Sequence, residues 1–371
     1  MIQVSTPSRI CLFGEHQDYL GLEVIASAIN LRFSTKAEKR SDDLLKIRIR
    51  DKSICELGAK NTENKYEEYV IDLSKELVYE SKRDYFKSIV NVLRKAGFTI
   101  PGADVTMDSE IPIGKGMCSS TTMVLVLTAT LAALSDQPER AKDAKEMALL
   151  AWKAEVEEFH EPGGMMDHYA SALGGLVHLD FSGESAKPTS LDLKLPGVFI
   201  LFDSLQDKDT IKVLGDSKYP TLEAIKELNP YGITSIRDFY NDPSLEQYVD
   251  KLDAFHQQKV RANIDNYKVQ REALSLIQSG KMTDEKMGEL LNRHQKNLRD
   301  GLQISTPTID KILAKALETG AYGGKFNGSG GGGCLYCYAP KDKAEAILAA
   351  VKEMGYPGMI LTQDKGLTVC D

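Results

Sequence analysis

No stretch of the 371-residue chain approaches the ~20 consecutive apolar residues of a membrane-spanning helix, so no membrane partner is expected. Met1 to Pro7 lacks a basic segment running into an apolar one, so a secretory leader is not expected either. Positive charge is in short supply: 46 Lys and Arg stand against 54 Asp and Glu, a formal net charge of −8. That is the wrong sign for a nucleic-acid surface. No internal repeat or low-complexity segment occurs apart from one glycine run. The cysteines (Cys11, Cys55, Cys118, Cys334, Cys337, Cys370) are scattered, and only Cys334 and Cys337 form a C-x-x-C. No second pair and no paired histidines complete a metal site there, and the two read as small apolar residues in a strand. With 42% hydrophobic residues the chain can build a core without a disulfide framework. A reducing, cytoplasmic location is the expectation, and the length predicts two domains.

The coarse pattern alternates strands and helices. Strands are predicted at Ile2–Phe13 (short, broken by Pro7), Val24–Thr35, Ala103–Ser109, Leu176–Phe181 and Gly197–Asp203. Helices are predicted at Arg83–Lys95, Thr121–Leu134, a long Pro138–Phe159, and Thr308–Glu318, with Ser235–Arg299 strongly helical and charged. Near the end, a strand Cys334–Tyr338, a helix Asp342–Met354 and a strand Met359–Thr362 make a β-α-β unit of the ferredoxin-like kind. A domain boundary is expected between Lys187 and Pro196, where two prolines flank a polar stretch.

Three constellations carry chemistry. Pro112-Ile-Gly-Lys-Gly-Met-Cys-Ser-Ser-Thr-Thr joins a strand to an apolar helix. Glycines there allow close backbone approach, and free N–H groups at a helix start favour an anion. Ser119 and Ser120 can cap the helix and offer oxygen to magnesium. The loop is not a Walker A sequence, and an ordinary capped turn would look similar. The second constellation is Gly323-Gly-Lys-Phe-Asn-Gly-Ser-Gly-Gly-Gly-Gly-Cys, whose glycines cost entropy and read as a backbone wall around a ligand rather than a linker. The third is acidic: Glu15 and Asp18 in Gly-Glu-His-Gln-Asp-Tyr, and Asp167 in Gly-Gly-Met-Met-Asp-His-Tyr. Carboxylates in such apolar, glycine-rich surroundings are costly unless used, and together they suggest a polyhydroxylated substrate facing a nucleotide.

In this order and spacing, the three stretches resemble the motifs of the GHMP kinases, a superfamily that includes galactokinase, homoserine kinase and mevalonate kinase. Thr6-Pro-Ser-Arg-Ile-Cys-Leu-Phe-Gly-Glu-His-Gln-Asp-Tyr looks like the galactokinase signature, and Ala154-Glu155 to Met-Met-Asp167 has the galactokinase spacing. The resemblance implies an α+β, two-domain fold, with a ribosomal-protein-S5-like domain over 1–190 and a ferredoxin-like α/β sandwich over 191–371. It implies an ATP- and Mg2+-dependent kinase acting on a sugar hydroxyl, most simply the anomeric hydroxyl of galactose or a related sugar. By that resemblance Asp167 and Arg9 are catalytic, while Glu15, His16, Asp18, Gly164 and Asp167 bind the sugar. Gly114, Lys115, Gly116, Met117, Cys118, Ser119, Ser120 and Thr121 hold ATP, and Ser120 and Glu155 hold the metal.

Ser8, Cys11, His168 and Asn327 depart from the galactokinase pattern without removing a needed group. Neither Tyr219 nor Tyr231 aligns with the tyrosine that contacts the sugar in galactokinases, which leaves the acceptor open. A heptose-phosphate or mevalonate-type kinase is the alternative within the superfamily. An acceptor bearing phosphate would need an extra cation, for which Lys208 is the candidate. A non-catalytic sugar sensor is disfavoured by intact Arg9, Ser120 and Asp167.

Overall fold

The computed structural model describes residues 1–50, 66–183, 186–193 and 195–370; Cys55 lies outside them. The first sheet begins with β1 (Ile2–Phe13) and β2 (Glu23–Lys39), the longest antiparallel pair in the molecule. β1 is not ended by Pro7. A register shift between Pro7 and Ser8 absorbs the missing N–H, and the strand runs on into the interior. β2 is buried on both faces at its start and then alternates buried and exposed positions toward Lys39, as a strand leaving a core should. The sheet is extended by β3 (Leu44–Arg50), β4 (Tyr66–Asp72), β5 (Ala103–Ser109), β6 (Leu176–Asp180) and β7 (Lys187–Leu191). β5 pairs with β2 and β3, while β6 pairs with β2 and carries β7 at its outer edge.

Helix α1 (Tyr85–Lys95) and α2 (Ser119–Leu134) pack against this sheet. Almost every side chain of α2 is buried, so it is apolar all round rather than amphipathic. The long helix expected from Pro138 is broken. A 3-10 turn precedes α3 (Ala144–Trp152), whose N-terminus is capped by the Asp143 carboxylate accepting from Lys145 and Glu146 N–H. α3 then widens into a π-turn over Lys153–Glu157, and α4 (Met166–Leu173) starts after the glycine-rich loop.

The second sheet holds β8 (Val198–Asp203), β9 (Gly323–Phe326), β10 (Cys334–Ala339) and β11 (Gly358–Leu361), in the order β11-β8-β10-β9. Between β8 and β9 lie α5 (Thr210–Leu228), α6 (Ile236–Asn241), α7 (Ala254–Gln278), α8 (Asp284–Lys296) and α9 (Pro307–Thr319). α10 (Ala344–Glu353) links β10 to β11 across β8, so the predicted β-α-β unit is a split one. The final strand, β12 (Thr368–Cys370), returns to pair with β1. The main core is continuous across both sheets, taking Leu12, Phe33 and Leu127 together with Leu201 and Tyr336. The end of β1, the start of α2 and the β9–β10 loop therefore meet at one place. Among the described residues no helix is long and apolar enough to cross a membrane.

Candidate active site

A cavity of about 320 Å³ opens where those three segments meet. This falls within the ~300–1,000 Å³ usual for small-ligand sites. One wall is the start of α2. Gly114 and Gly116 have positive φ, and Cys118 at φ 48° turns the chain into the helix. Ser119, Ser120 and Thr121 then line the cavity, so the helix's first N–H groups and its dipole face the space. Lys115 and Met117 do not line it. Met117 is buried in the core, and the Lys115 ammonium turns away to the Asp207 carboxylate at 3.0 Å.

The glycine run supports this wall from behind. Gly333 adopts φ 76°, and a Cβ there would fall 2.4 Å from the Lys115 carbonyl oxygen. The next N–H, of Cys334, donates to that same carbonyl at 2.7 Å. Asn327 ties all three motifs together. Its Oδ1 accepts from Cys11 N–H (3.0 Å), and its Nδ2 donates to the carbonyls of Arg9 (3.3 Å) and Gly116 (3.0 Å).

At the centre, Arg9 Nε and Nη2 both lie 2.7 Å from Asp167 Oδ1, and Arg9 Nη1 donates to the Gly116 carbonyl at 3.1 Å. Burial works against the Arg9 charge, but the neighbouring negative groups, Asp167 foremost with Glu15 adding, together outweigh it and raise the guanidinium pKa. The far end of the cavity is polar. Asp18 Oδ2 accepts from Met166 N–H at 3.3 Å, and a Cβ on Gly164 would fall 1.8 Å from that oxygen. Only glycine at 164 lets this carboxylate into place. Burial, aided by the nearby Asp167 charge, pushes the Asp18 carboxyl up to about 6.

Glu15 and His16 line the cavity, yet their polar atoms are already used inside the protein. Glu15 Oε2 lies 2.5 Å from Lys325 Nζ, and Oε1 accepts from Gly328 N–H at 3.0 Å. His16, held at φ 64°, has Nε2 3.0 Å from the Ser329 carbonyl, so Nε2 carries the proton. Its Nδ1 then accepts from the Tyr19 hydroxyl at 2.7 Å. Burial and the surrounding lysines push the imidazole down to about 3, which keeps it neutral. These two residues brace the acceptor end rather than present free groups to it.

Glu155 reaches the cavity from the π-turn, a local widening that often marks functional positions. Burial would raise its pKa, but the His168 hydrogen bond and the Ser120 and Thr121 hydroxyls hold it below the ordinary carboxylate range. Glu155 and Ser120 are thereby brought together at the cavity wall.

Two lysines belong to the site: Lys325, which sequence reasoning did not single out, and Lys208, which it named only as a candidate cation for a phosphorylated acceptor. Lys325 is the fully buried partner of Glu15; its signal was a charge within the otherwise apolar strand β9. Lys208 lines the cavity with a buried Nζ that has no hydrogen-bond partner, and a Cβ on Gly116 would fall 2.5 Å from it. Burial pushes this ammonium down to about 8. Thr210 and Leu214 of α5 also close over the site. Cys334 and Cys337 lie buried in β10, away from the cavity lining, with the Cys337 thiol pushed up to about 12 by burial.

The site thus offers a helix start and a lysine for an anion, an arginine-held carboxylate beside them, and a polar recess beyond. Comparison with known proteins agrees with that geometry. The profile for the galactokinase galactose-binding signature matches residues 2–37. The GHMP kinases N-terminal domain matches 84–175, and the GHMP kinases C-terminal domain matches 273–357. A galactokinase from Glaesserella parasuis is 27% identical over 94% of this chain and 88% of its own length. A mevalonate kinase from Thermococcus sibiricus is 26% identical over 100% of this chain and 98% of its own. In fold, the chain superposes on Lactococcus lactis galactokinase, solved with galactose, at a TM-score of 0.80 and 22% identity, covering 99% of this chain and 95% of that one. With three matched segments spanning more than half of its length and the motifs converging on one cavity, the chain belongs to the GHMP kinases, phosphotransferases that act on a hydroxyl.

Proposed function

We propose that the protein transfers the γ-phosphoryl group of ATP to a hydroxyl of galactose or a closely related monosaccharide, the anomeric hydroxyl first. The observation that carries this reading is the Arg9–Asp167 pair at 2.7 Å, lying between the start of α2 and the Asp18–Gly164 recess. Phosphoryl transfer requires mainly positioning and charge neutralisation. In this reading the triphosphate lies on the α2 N–H groups, Ser119 and Ser120, and Asp167 orients the sugar hydroxyl or takes its proton. Arg9 holds that carboxylate in place and offsets charge on the moving group. Asp18 holds hydroxyls farther from the reacting one. The galactose-binding signature over 2–37 and the likeness to galactokinases support the choice of sugar. We further propose domains 1–190 and 191–371, supported by the change of sheet between β7 and β8, although β12 returns to the first sheet.

Magnesium is expected with the nucleotide, and the donor set fits it. This ion keeps several waters and uses one or two carboxylates plus substrate phosphates, so it needs no all-protein cage. Ser120 and the ionised Glu155 are the side chains that would hold it. When bound, it neutralises phosphate charge.

The position of Lys208 over Gly116 favours the nucleotide's phosphates over a phosphorylated acceptor as its ligand. Lys208→Met is expected to weaken ATP binding about 10-fold, the size of one charge-assisted hydrogen bond. Because this lysine loses its charge as pH rises through about 8, the wild-type affinity falls across that range. Calorimetric titration at several pH values checks both effects, and the Met variant should show no such pH dependence.

ATP consumption across a panel of monosaccharides, their phosphates and mevalonate tests the reading as a whole. Turnover is expected with galactose or a near relative. Turnover with a sugar phosphate or mevalonate but no free sugar would overturn it.

A further inference from the structure

We propose that His168 is a positioning residue that holds the Glu155 carboxylate beside Ser120 for a magnesium ion arriving with the nucleotide. The inference rests on the kinase reading above and goes beyond it in assigning a role to His168, a residue that departs from the galactokinase pattern.

His168 and Glu155 come from different elements, α4 and the π-turn, 13 residues apart, and meet through Nε2 and Oε2 at 2.8 Å. Both are almost fully buried, with side-chain exposures of 2% and 7%, so the bond is shielded from competing water. A carboxylate only accepts, so Nε2 carries the proton. Nδ1 is buried without a hydrogen-bond partner, so the bond to Glu155 is what orients the ring. Glu155 in turn is buried and lines the cavity together with Ser120 and Thr121.

Neighbouring residues on α4 divide the work. Asp167 meets Arg9 at the reacting centre, and His168 meets Glu155 at the side where Ser120 begins α2. A single helix start thus orients both carboxylates. Partners of this kind, one bond removed from a metal, typically change its affinity about 10- to 100-fold when lost.

The test measures binding of a non-hydrolysable ATP analogue by calorimetry, with and without Mg2+, so that no turnover is involved. In wild type, Mg2+ should raise the affinity. In His168→Leu that gain should shrink about 10-fold or more, while the metal-free affinity stays as in wild type. His168→Gln, which keeps an N–H donor, should retain most of the gain. An unchanged gain in His168→Leu would overturn the inference, and so would equal losses in both variants, which would point to ring packing. Should the leucine variant not fold, nitrogen-15 NMR of the wild-type imidazole decides. The proton is expected on Nε2, with its signal moving when Mg2+ joins the nucleotide complex; no movement overturns the inference. A wild-type protein without any Mg2+-dependent gain would count against the kinase reading itself, a distinguishable failure.

Discussion

Asp167→Asn is expected to lower turnover at least ~100-fold, the scale of a positioned acid–base group, while nucleotide affinity stays largely intact. The asymmetry follows from where Asp167 lies. Its carboxylate faces the cavity from the start of α4, whereas the groups proposed to face the phosphates belong to α2 and the loop before it. The amide keeps an oxygen toward Arg9 but cannot accept a proton from the sugar hydroxyl. It also removes the negative charge that raises the Arg9 pKa against the effect of burial. Some loss of thermal stability is therefore expected as well, since a buried cation loses its counter-charge. Single-turnover kinetics together with ATP titration separate the two consequences. Turnover near that of wild type in a folded, ATP-binding variant would remove Asp167 from the chemistry.

Much of this arrangement is readable along the chain, for identifiable reasons. The bounds of the strands at Ile2–Phe13 and Ala103–Ser109 match the structure, because apolar or alternating runs bounded by turn residues leave little freedom, although the break expected at Pro7 is only a register shift. α2 begins two residues before the predicted start, since Ser119 and Ser120 belong to its first turn. β3 and β4 were not recognised: they lie at an edge where charged residues occupy the exposed face and dilute the apolar alternation. Two features inside the predicted Pro138–Phe159 helix escape the local pattern. One is the 3-10 turn that ends before Asp143 caps α3; the other is the π-turn continuing α3, which no residue type specifies and which delivers Glu155. For the site, the glycine and hydroxyl motifs do come together at one wall of the cavity. What they could not supply was side-chain direction. Lys115 leaves the cavity, Lys208 enters it, and Glu15 turns toward β9, each decided by tertiary neighbours rather than by local pattern.

Glu15 is where that difference has its largest energetic consequence. As a sugar-gripping residue it would tolerate Glu15→Gln with intact stability and weakened sugar binding. Its geometry predicts otherwise. Lys325 Nζ lies 2.5 Å from Glu15 Oε2 and also donates to the carbonyls of Phe326 at 2.7 Å and Cys11 at 3.2 Å. Glu15 Oε1 takes the Gly328 N–H at 3.0 Å. The network is buried, and it joins the end of β1 to β9 and the glycine run. Removing one charge leaves the other buried and unpaired, which costs about 3–5 kcal/mol in such settings. Lys325→Met is therefore expected to lower stability by about that amount, measured by urea unfolding, with Glu15→Gln close behind. Adding Glu15→Leu to Lys325→Met should recover part of the loss, because no unpaired charge then remains. Recovery of this kind identifies the pair as a brace between the first and third motifs. A Glu15→Gln protein as stable as wild type, with only its sugar affinity reduced, would return Glu15 to the acceptor site.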